Sequence, residues 1–458
     1  MQGTKDLTQG RIGEQLFKLA LPIMASSFIQ MAYSLTDMAW VGRLGSPASA
    51  AVGAVGMLVW TTSSIALLTK VGAEVSVGQS IGAYDEKAAK SFASHNITLA
   101  LYIAVGWAAL LGLGAHTWMS LFQMNETITL RSSCYLQIIS MGFPFVFLSL
   151  AFTGIYNAAG RSTIPFYISG IGLGLNIFLD PIFIYVFKYG INGAAWATVL
   201  SQMVVLTLFI YHVKWKSPLL NGFPLFCKLK LKETKRILKL GAPVATFNTL
   251  FSFVSLFLSS QAARSGGHLG VMALATGGQI EAITWTTAQG LSTALSAFIS
   301  QNFAANKMHR VIKAWTTTLW MSGIVGGIIT VCFIAFGSNI FGLFVPEEEA
   351  AKAGGIYLHI AGYSQLFMML EISTQGVFYG IGRTIPPALT SIVLNYARIP
   401  LSWLLCQHMG VEGIWWAITL SSIAKGITLA GWFAIVKSKL YRVNPEKHVA
   451  EHIKSHDS

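Results

Sequence analysis

The feature that most constrains this chain is a succession of about twelve apolar blocks of 20 or more residues, separated by short polar turns. A 20-residue helix rises roughly 30 Å, the thickness of the hydrocarbon layer of a bilayer. Inside that layer the backbone must satisfy its own N–H and C=O groups, so blocks of this length predict an all-α polytopic membrane protein. The expected spans are 16–40, 48–72, 92–115, 133–156, 165–187, 191–213, 240–263, 271–300, 315–337, 354–380, 386–407 and 411–436. Composition agrees, with 53% hydrophobic and 11% charged residues and a mean hydropathy of +0.59. The first block opens with "LFKLALP" and no small-residue cleavage site, so it reads as a retained helix and not as a signal peptide.

A net charge of +13 would point to nucleic acid in a soluble chain. Its placement points to a membrane instead. With both termini in the cytoplasm, 23 of the 31 Lys and Arg residues fall in inner tails, loops and helix ends. Five fall outside (Arg43, Arg131, Lys188, Arg264 and Lys352) and three within the spans (Lys70, Arg398 and Lys425). This positive-inside asymmetry fits a multi-pass protein of a bacterial or archaeal-type cytoplasmic membrane. The basic surplus is expected to face anionic inner-leaflet lipid, with no nucleic-acid partner. Cys134, Cys227, Cys332 and Cys406 have no paired spacing, and no nucleophile, zinc or nucleotide motif is present, so neither an enzyme nor a bound cofactor is expected.

The chain repeats itself. "KLALPIM" at 18–24 matches "KLGAPVA" at 239–245, "VGQSIGAYD" at 77–85 matches "ISQNFAANK" at 299–307, "NAAGRSTIP" at 157–165 matches "YGIGRTIPP" at 379–387, and "YGINGAAWA" at 189–197 matches "MGVEGIWWA" at 409–417. These offsets of 220 to 222 residues imply two six-helix repeats in the same orientation, with a cavity between them. The expected division is a first lobe at 1–213, a cytoplasmic linker at 214–239, a second lobe at 240–440 and a cytoplasmic tail at 441–458. The linker reads as a solvated connector or as a short amphipathic piece on the lipid surface. One chain holds both halves, so a monomer is expected.

Charged groups in hydrocarbon are expensive and should face protein, water or a bound cation. Asp37 lies about 21 residues into the first span, hence in its outer third. In "GLGLNIFLDPIF", Asn176 and Asp180 are one helical turn apart on one face, and Asp180 is about 22 Å from the cytoplasmic end. Thr198 is about two turns into the sixth span. These four side chains therefore share a depth, and together they offer a hard oxygen shell able to hold Na+ or share a proton. Pro181 frees the carbonyl of Ile177 beside Asp180; Pro22 and Pro400 do the same to Lys18 and Tyr396. The alternative is structural, with Asp37 capping its helix and Asp180 hydrogen-bonded in place.

The second half lacks this set, placing Ile399 and Arg398 near the position that matches Asp180. Glu281 and Glu371 lie in its spans, where they either neutralise Arg398 and Lys425 or meet a cationic substrate. Lys70 and Glu74 are spaced to pair, as a gate or as a plain interfacial pair. Tyr33, Trp60, Tyr156, Trp285, Tyr363 and Tyr379 could line a path for an organic cation or simply face lipid and its interface. Glycines 53, 56, 72, 78, 82, 172, 174, 277 and 278 permit close helix approach.

"DMAWVGRLG", the paired "GR[ST]xxP" and "NxxxDP" resemble the multidrug and toxic compound extrusion family over residues 10–440. The resemblance implies two six-helix lobes around a V-shaped cavity. It also implies export of amphipathic, often cationic, organic compounds in exchange for inward H+ or Na+. It is similar to the branch with an N-terminal cation site, whose acids, amide and hydroxyl fall on Asp37, Asn176, Asp180 and Thr198. The other bacterial branch uses acids in helices 7 and 10; here the seventh span offers only Gln261, while Glu371 stands in the tenth. The competing transporter reading is a flippase or exporter of a lipid-linked or anionic amphiphile, which would want more intramembrane cations than Arg398, Lys425 and Lys70. A scaffold or receptor would need no matched acids.

Overall fold

A computed structural model describes residues 4–216 and 224–442, and among these every regular element is helical. In chain order they are α1 (Ile12–Gly42), α2 (Ser46–Gly82), α3 (Glu86–Leu113), the short α4 (Ala115–Ser120), α5 (Glu126–Ala158), α6 (Thr163–Pro181) and α7 (Ile191–Tyr211), then α8 (Leu231–Ala304), α9 (Met308–Gly342), α10 (Glu348–Gly380), α11 (Ile385–Tyr396), α12 (Arg398–Met409) and α13 (Val411–Arg442). Wide π turns, Ile182–Val186 and His212–Lys216, extend α6 and α7.

The 74-residue α8 would be about 110 Å long if straight, far beyond one bilayer crossing. It is divided at Gly267, whose φ of 56° breaks the helix and yields the two expected spans. Among the described residues ten segments are long and apolar enough to cross a membrane, and the break at Gly267 divides one of them, Leu231–Ala304, between two expected spans. The remaining expected span, α10, is outside that set; it carries Gln365, Glu371, Thr374 and Gln375 along its length. The eleventh span is interrupted at Ala397, between α11 and α12, just ahead of Pro400. By contrast α1 passes Pro22 without interruption.

The repeat is written in the backbone. Eight of the eleven left-handed residues among those described form matched pairs: Gly45 and Gly267 (φ 99° and 56°), Tyr84 and Asn306 (59° and 58°), Gly160 and Gly382 (73° and 77°), Gly190 and Gly410 (55° and 61°). At Gly160 the chain closes its helix with Arg161 N donating to Tyr156 O at 2.9 Å, and at Gly382 with Arg383 N donating to Phe378 O at 2.8 Å. This is a glycine C-terminal cap, so the paired "GR[ST]" motif is first of all a helix stop. Asp85 and Asn125 start α3 and α5 by accepting from Ala88 N and Ile128 N.

The described residues form two compact units, one of 4–6, 21–216 and 224–245, the other of 7–20 and 246–442. This differs from the expected division at 240. The first turns of α1 belong with the second unit, and the first turns of α8 with the first. In the second unit the stretch before α1 is held by side chains of α8 and α9. Leu7 N donates to Gln301 Oε1 at 3.0 Å, while Arg310 reaches the carbonyls of Leu7, Gln9 and Gly10.

Of the expected linker, residues 217–223 lie outside the described residues. Residues 224–230 are not a free connector: Ser94 Oγ donates to Pro224 O at 2.7 Å, Cys227 N to Thr98 Oγ1 at 3.0 Å and Lys230 N to His95 Nε2 at 3.2 Å. From Leu231 onward the chain is already helix.

The first unit's core gathers Phe147, Phe152, Tyr156 and Phe209, with Phe152 stacked on Phe209 at 5.7 Å. The second gathers Phe333, Phe341, Tyr357 and Trp415. Among the glycines expected to allow close approach, 72, 172 and 277 do so, whereas 53, 56, 174 and 278 have open space where a Cβ would stand.

Candidate functional site

Three helices of the first unit bring its polar side chains together. From α1 come Tyr33 and Asp37, from α6 Asn176 and Asp180, and from α7 Thr198. Asn176 and Asp180 are both fully buried. Their one-turn spacing lets Asn176 Nδ2 donate to Asp180 Oδ1 at 3.1 Å. Thr198 Oγ1 donates to Asp37 Oδ2 at 3.3 Å, and the Asp37 and Asp180 carboxyls lie within electrostatic reach of each other. The four residues expected at one depth are thus one cluster, and Asp37 does not cap its helix.

Local sequence explains the placement. Pro181 ends α6 immediately after Asp180, because it supplies no N–H to the previous turn; the wide turn Ile182–Val186 follows. On the same helix Gly172 admits Tyr33, since a Cβ there would stand 2.8 Å from the Tyr33 hydroxyl and 2.3 Å from Val205 Cγ2.

The chemistry of the cluster lies in what is left over. Asp37 Oδ1, Asp180 Oδ2, Asn176 Oδ1 and the Tyr33 hydroxyl are buried oxygens without a hydrogen-bond partner among the described residues. Buried acceptors are ordinarily satisfied, and buried carboxylates need a partner of opposite charge or a proton. A set of unfilled hard oxygens drawn from two carboxylates, an amide and a phenol matches what a proton or a small hard cation would fill. Tyr135 of α5 lies within electrostatic range of both carboxylates. Sequence alone does not single it out, because a tyrosine in an apolar helix carries no signal of its own; Tyr33, a candidate for a substrate path, stands beside the acids.

Other expected residues fall elsewhere. Tyr156 is a correction: it is buried, its hydroxyl 2.7 Å from His212 Nδ1 and its ring stacked on Phe209, so it belongs to the first unit's core. Lys70 and Glu74 form no contact ion pair. Glu74 Oε1 instead accepts from Asn157 Nδ2 at 3.2 Å. The reason is packing: Gly154 lets α5 press on the Lys70 carbonyl, which brings Asn157 to Glu74. Trp60, Trp285 and Tyr363 are exposed at their helix surfaces, Tyr363 being stacked on Trp416 at 5.8 Å. Tyr379 is buried and donates to Gln375 Oε1.

In the second unit Glu371 Oε2 pairs with Lys425 Nζ at 3.1 Å, while its Oε1 accepts from Gln375 Nε2 and Ser391 Oγ at 3.1 Å each. That is the neutralising role, and it leaves this acid occupied. Glu281 accepts from the Tyr357 hydroxyl and from Gln365 Nε2. Gln261 Oε1 accepts from Ser402 Oγ at 2.7 Å. No unfilled acid cluster like that around Asp37 occurs among the described residues of this unit.

A duplicated membrane-helix architecture with charged and polar side chains buried within its spans is the build of a polytopic membrane transporter. The MatE family model matches residues 22–182 and again 243–404, two stretches that start 221 residues apart. The chain belongs to the MatE family: it is a multi-pass membrane transporter and not an enzyme. It is similar to the probable multidrug resistance protein NorM of Thermotoga maritima, at 28% identity over 88% of each chain. To the probable multidrug resistance protein YoeA of Bacillus subtilis it is 26% identical, over 92% of this chain and 93% of that one. A solved outward-facing multidrug resistance MATE transporter shares the fold, with a TM-score of 0.90 and 22% identity over 96% of this chain and 99% of that one.

Proposed function

We propose that this transporter exports amphipathic organic compounds, cationic ones among them, by antiport against H+ or Na+ held at Asp37, Asn176, Asp180 and Thr198. The observation that carries the proposal is the convergence of unfilled buried oxygens from Asp37, Asn176 and Asp180. Two carboxylates in one water-poor site repel each other until a cation or a proton arrives, so occupancy and the packing of α1, α6 and α7 are linked. Antiport requires that substrate and coupling ion favour different arrangements of these helices, which is alternating access. The names of relatives as multidrug resistance proteins point the same way. The protein acts as a monomer in a bacterial or archaeal-type cytoplasmic membrane with both ends inside, its basic surplus against anionic lipid.

Reconstitution into liposomes loaded with ethidium tests the reading, with Na+ and pH gradients imposed separately. Efflux driven by one of the two gradients identifies the coupling ion. Efflux that responds to neither gradient overturns the proposal.

A further inference from the structure

Arg398 is the residue of the second unit that the ion-coupling reading leaves unused. It opens α12 and is only 5% exposed. Its Nε donates to Ser421 Oγ at 2.6 Å and its Nη2 to Ser422 Oγ at 2.9 Å. The Phe251 ring centroid lies 5.9 Å from the guanidinium carbon. Both hydrogen-bond partners are neutral hydroxyls, and Nη1 donates to no atom of the described residues. A guanidinium has five donors and stays charged in proteins, so at this depth it normally meets a carboxylate or phosphate.

The nearby carboxylates do not fill that role. Glu371 is taken by Lys425, Gln375 and Ser391. Glu281 uses one oxygen for Tyr357 and the other for Gln365, and it acts on Arg398 only through space. Four charges thus resolve into one closed pair, Glu371 with Lys425, and two opposite charges held apart by neutral donors, Glu281 and Arg398. The last two make no contact ion pair among the described residues: the serines hold Arg398, and Tyr357 with Gln365 hold Glu281. A ligand bearing both signs of charge matches this arrangement, its acid group completing the guanidinium fork and its cationic part balanced by Glu281.

We propose that the second unit binds the acid group of a zwitterionic amphiphile through Arg398. The inference rests on the export reading and narrows its substrate class. Phe251 supplies an apolar aromatic face beside the guanidinium, and the two serines fix its plane for bidentate binding.

The test is equilibrium binding to the purified full-length protein, read by fluorescence anisotropy with two dyes. Rhodamine B has a free carboxylate on a cationic xanthene; its ethyl ester has the same cationic ring and no acid. Wild type is expected to bind the acid roughly ten- to a hundredfold more tightly than the ester, the range for a charge-assisted hydrogen bond. Arg398→Gln should bind the two dyes alike, and Arg398→Lys should keep part of the preference. The proposal is overturned by equal binding of acid and ester to wild type, by no binding of either dye, or by a preference that survives in Arg398→Gln. The wild-type comparison decides even if the variants fail to fold. Failure here is separable from failure of ion coupling, because binding needs no gradient: Asp180→Asn should lose gradient-driven efflux and retain the acid preference.

Discussion

Replacing Asp180 by asparagine is the sharpest probe of the first unit's oxygen cluster. The substitution keeps size and keeps an acceptor for Asn176 Nδ2, now 3.1 Å from Asp180 Oδ1. It removes one of two buried negative charges and supplies an amide that can donate to the unfilled Asp37 Oδ1. Folding should therefore be unharmed, with a melting temperature equal to or above wild type, since a like-charge repulsion is exchanged for a hydrogen bond worth about 1 kcal/mol. Ion binding should suffer heavily. A carboxylate and a monovalent cation about 4 Å apart attract by about 4 kcal/mol at an effective dielectric of 20, so neutralising Asp180 weakens the hold on the coupling ion by roughly a thousandfold. The assay pairs ethidium efflux from liposomes under each gradient with Na+ and proton dependence of thermal stability in detergent. Wild-type efflux rate together with wild-type ion dependence in Asp180→Asn would refute the reasoning.

Other expectations follow from particular contacts. Gly172→Ala places a Cβ against Val205 and the Tyr33 hydroxyl; overpacking of this kind costs about 1–3 kcal/mol, and both melting temperature and ion response should fall. Lys425→Ala leaves Glu371 buried without its cation, at a cost of about 3–5 kcal/mol. The double substitution Glu371→Gln with Lys425→Met should recover most of that loss in thermal melts, and no recovery would show that the pair acts independently. Gly382→Ala forces a side chain into a φ of 77°; a loss of about 1 kcal/mol is expected, with transport per folded molecule unchanged.

Charge in oil was the most legible signal. Asp37, Asn176, Asp180 and Thr198 stand out because each is polar within an apolar span, and the structure brings all four together. The helical spans were legible for the same reason, and Gly267 divides α8 between two expected crossings. What sequence left open was partner choice. Lys70 and Glu74 have ideal helical spacing, yet Asn157 on another helix wins Glu74 because a glycine 3 positions earlier lets the two backbones meet. Tyr33 and Tyr156 look alike in apolar helices; only the fold decides that one hydroxyl faces carboxylates and the other His212. The division into units was equally hidden, since it depends on which neighbours the first turns of α1 and α8 meet.

The matched left-handed residues have an implication for ancestry and for engineering. Four turns keep a positive φ at matched positions in the two halves, while the side chains between them have gone separate ways: unfilled acids in one, a neutralised pair and a guanidinium held by two serines in the other. Turn geometry is thus the inherited chassis, and electrical character is the interchangeable cargo. A tandem gene encoding the first half twice should still stop and start its helices at the same stations, yet arrive with two copies of the acid cluster and no counterpart of Arg398.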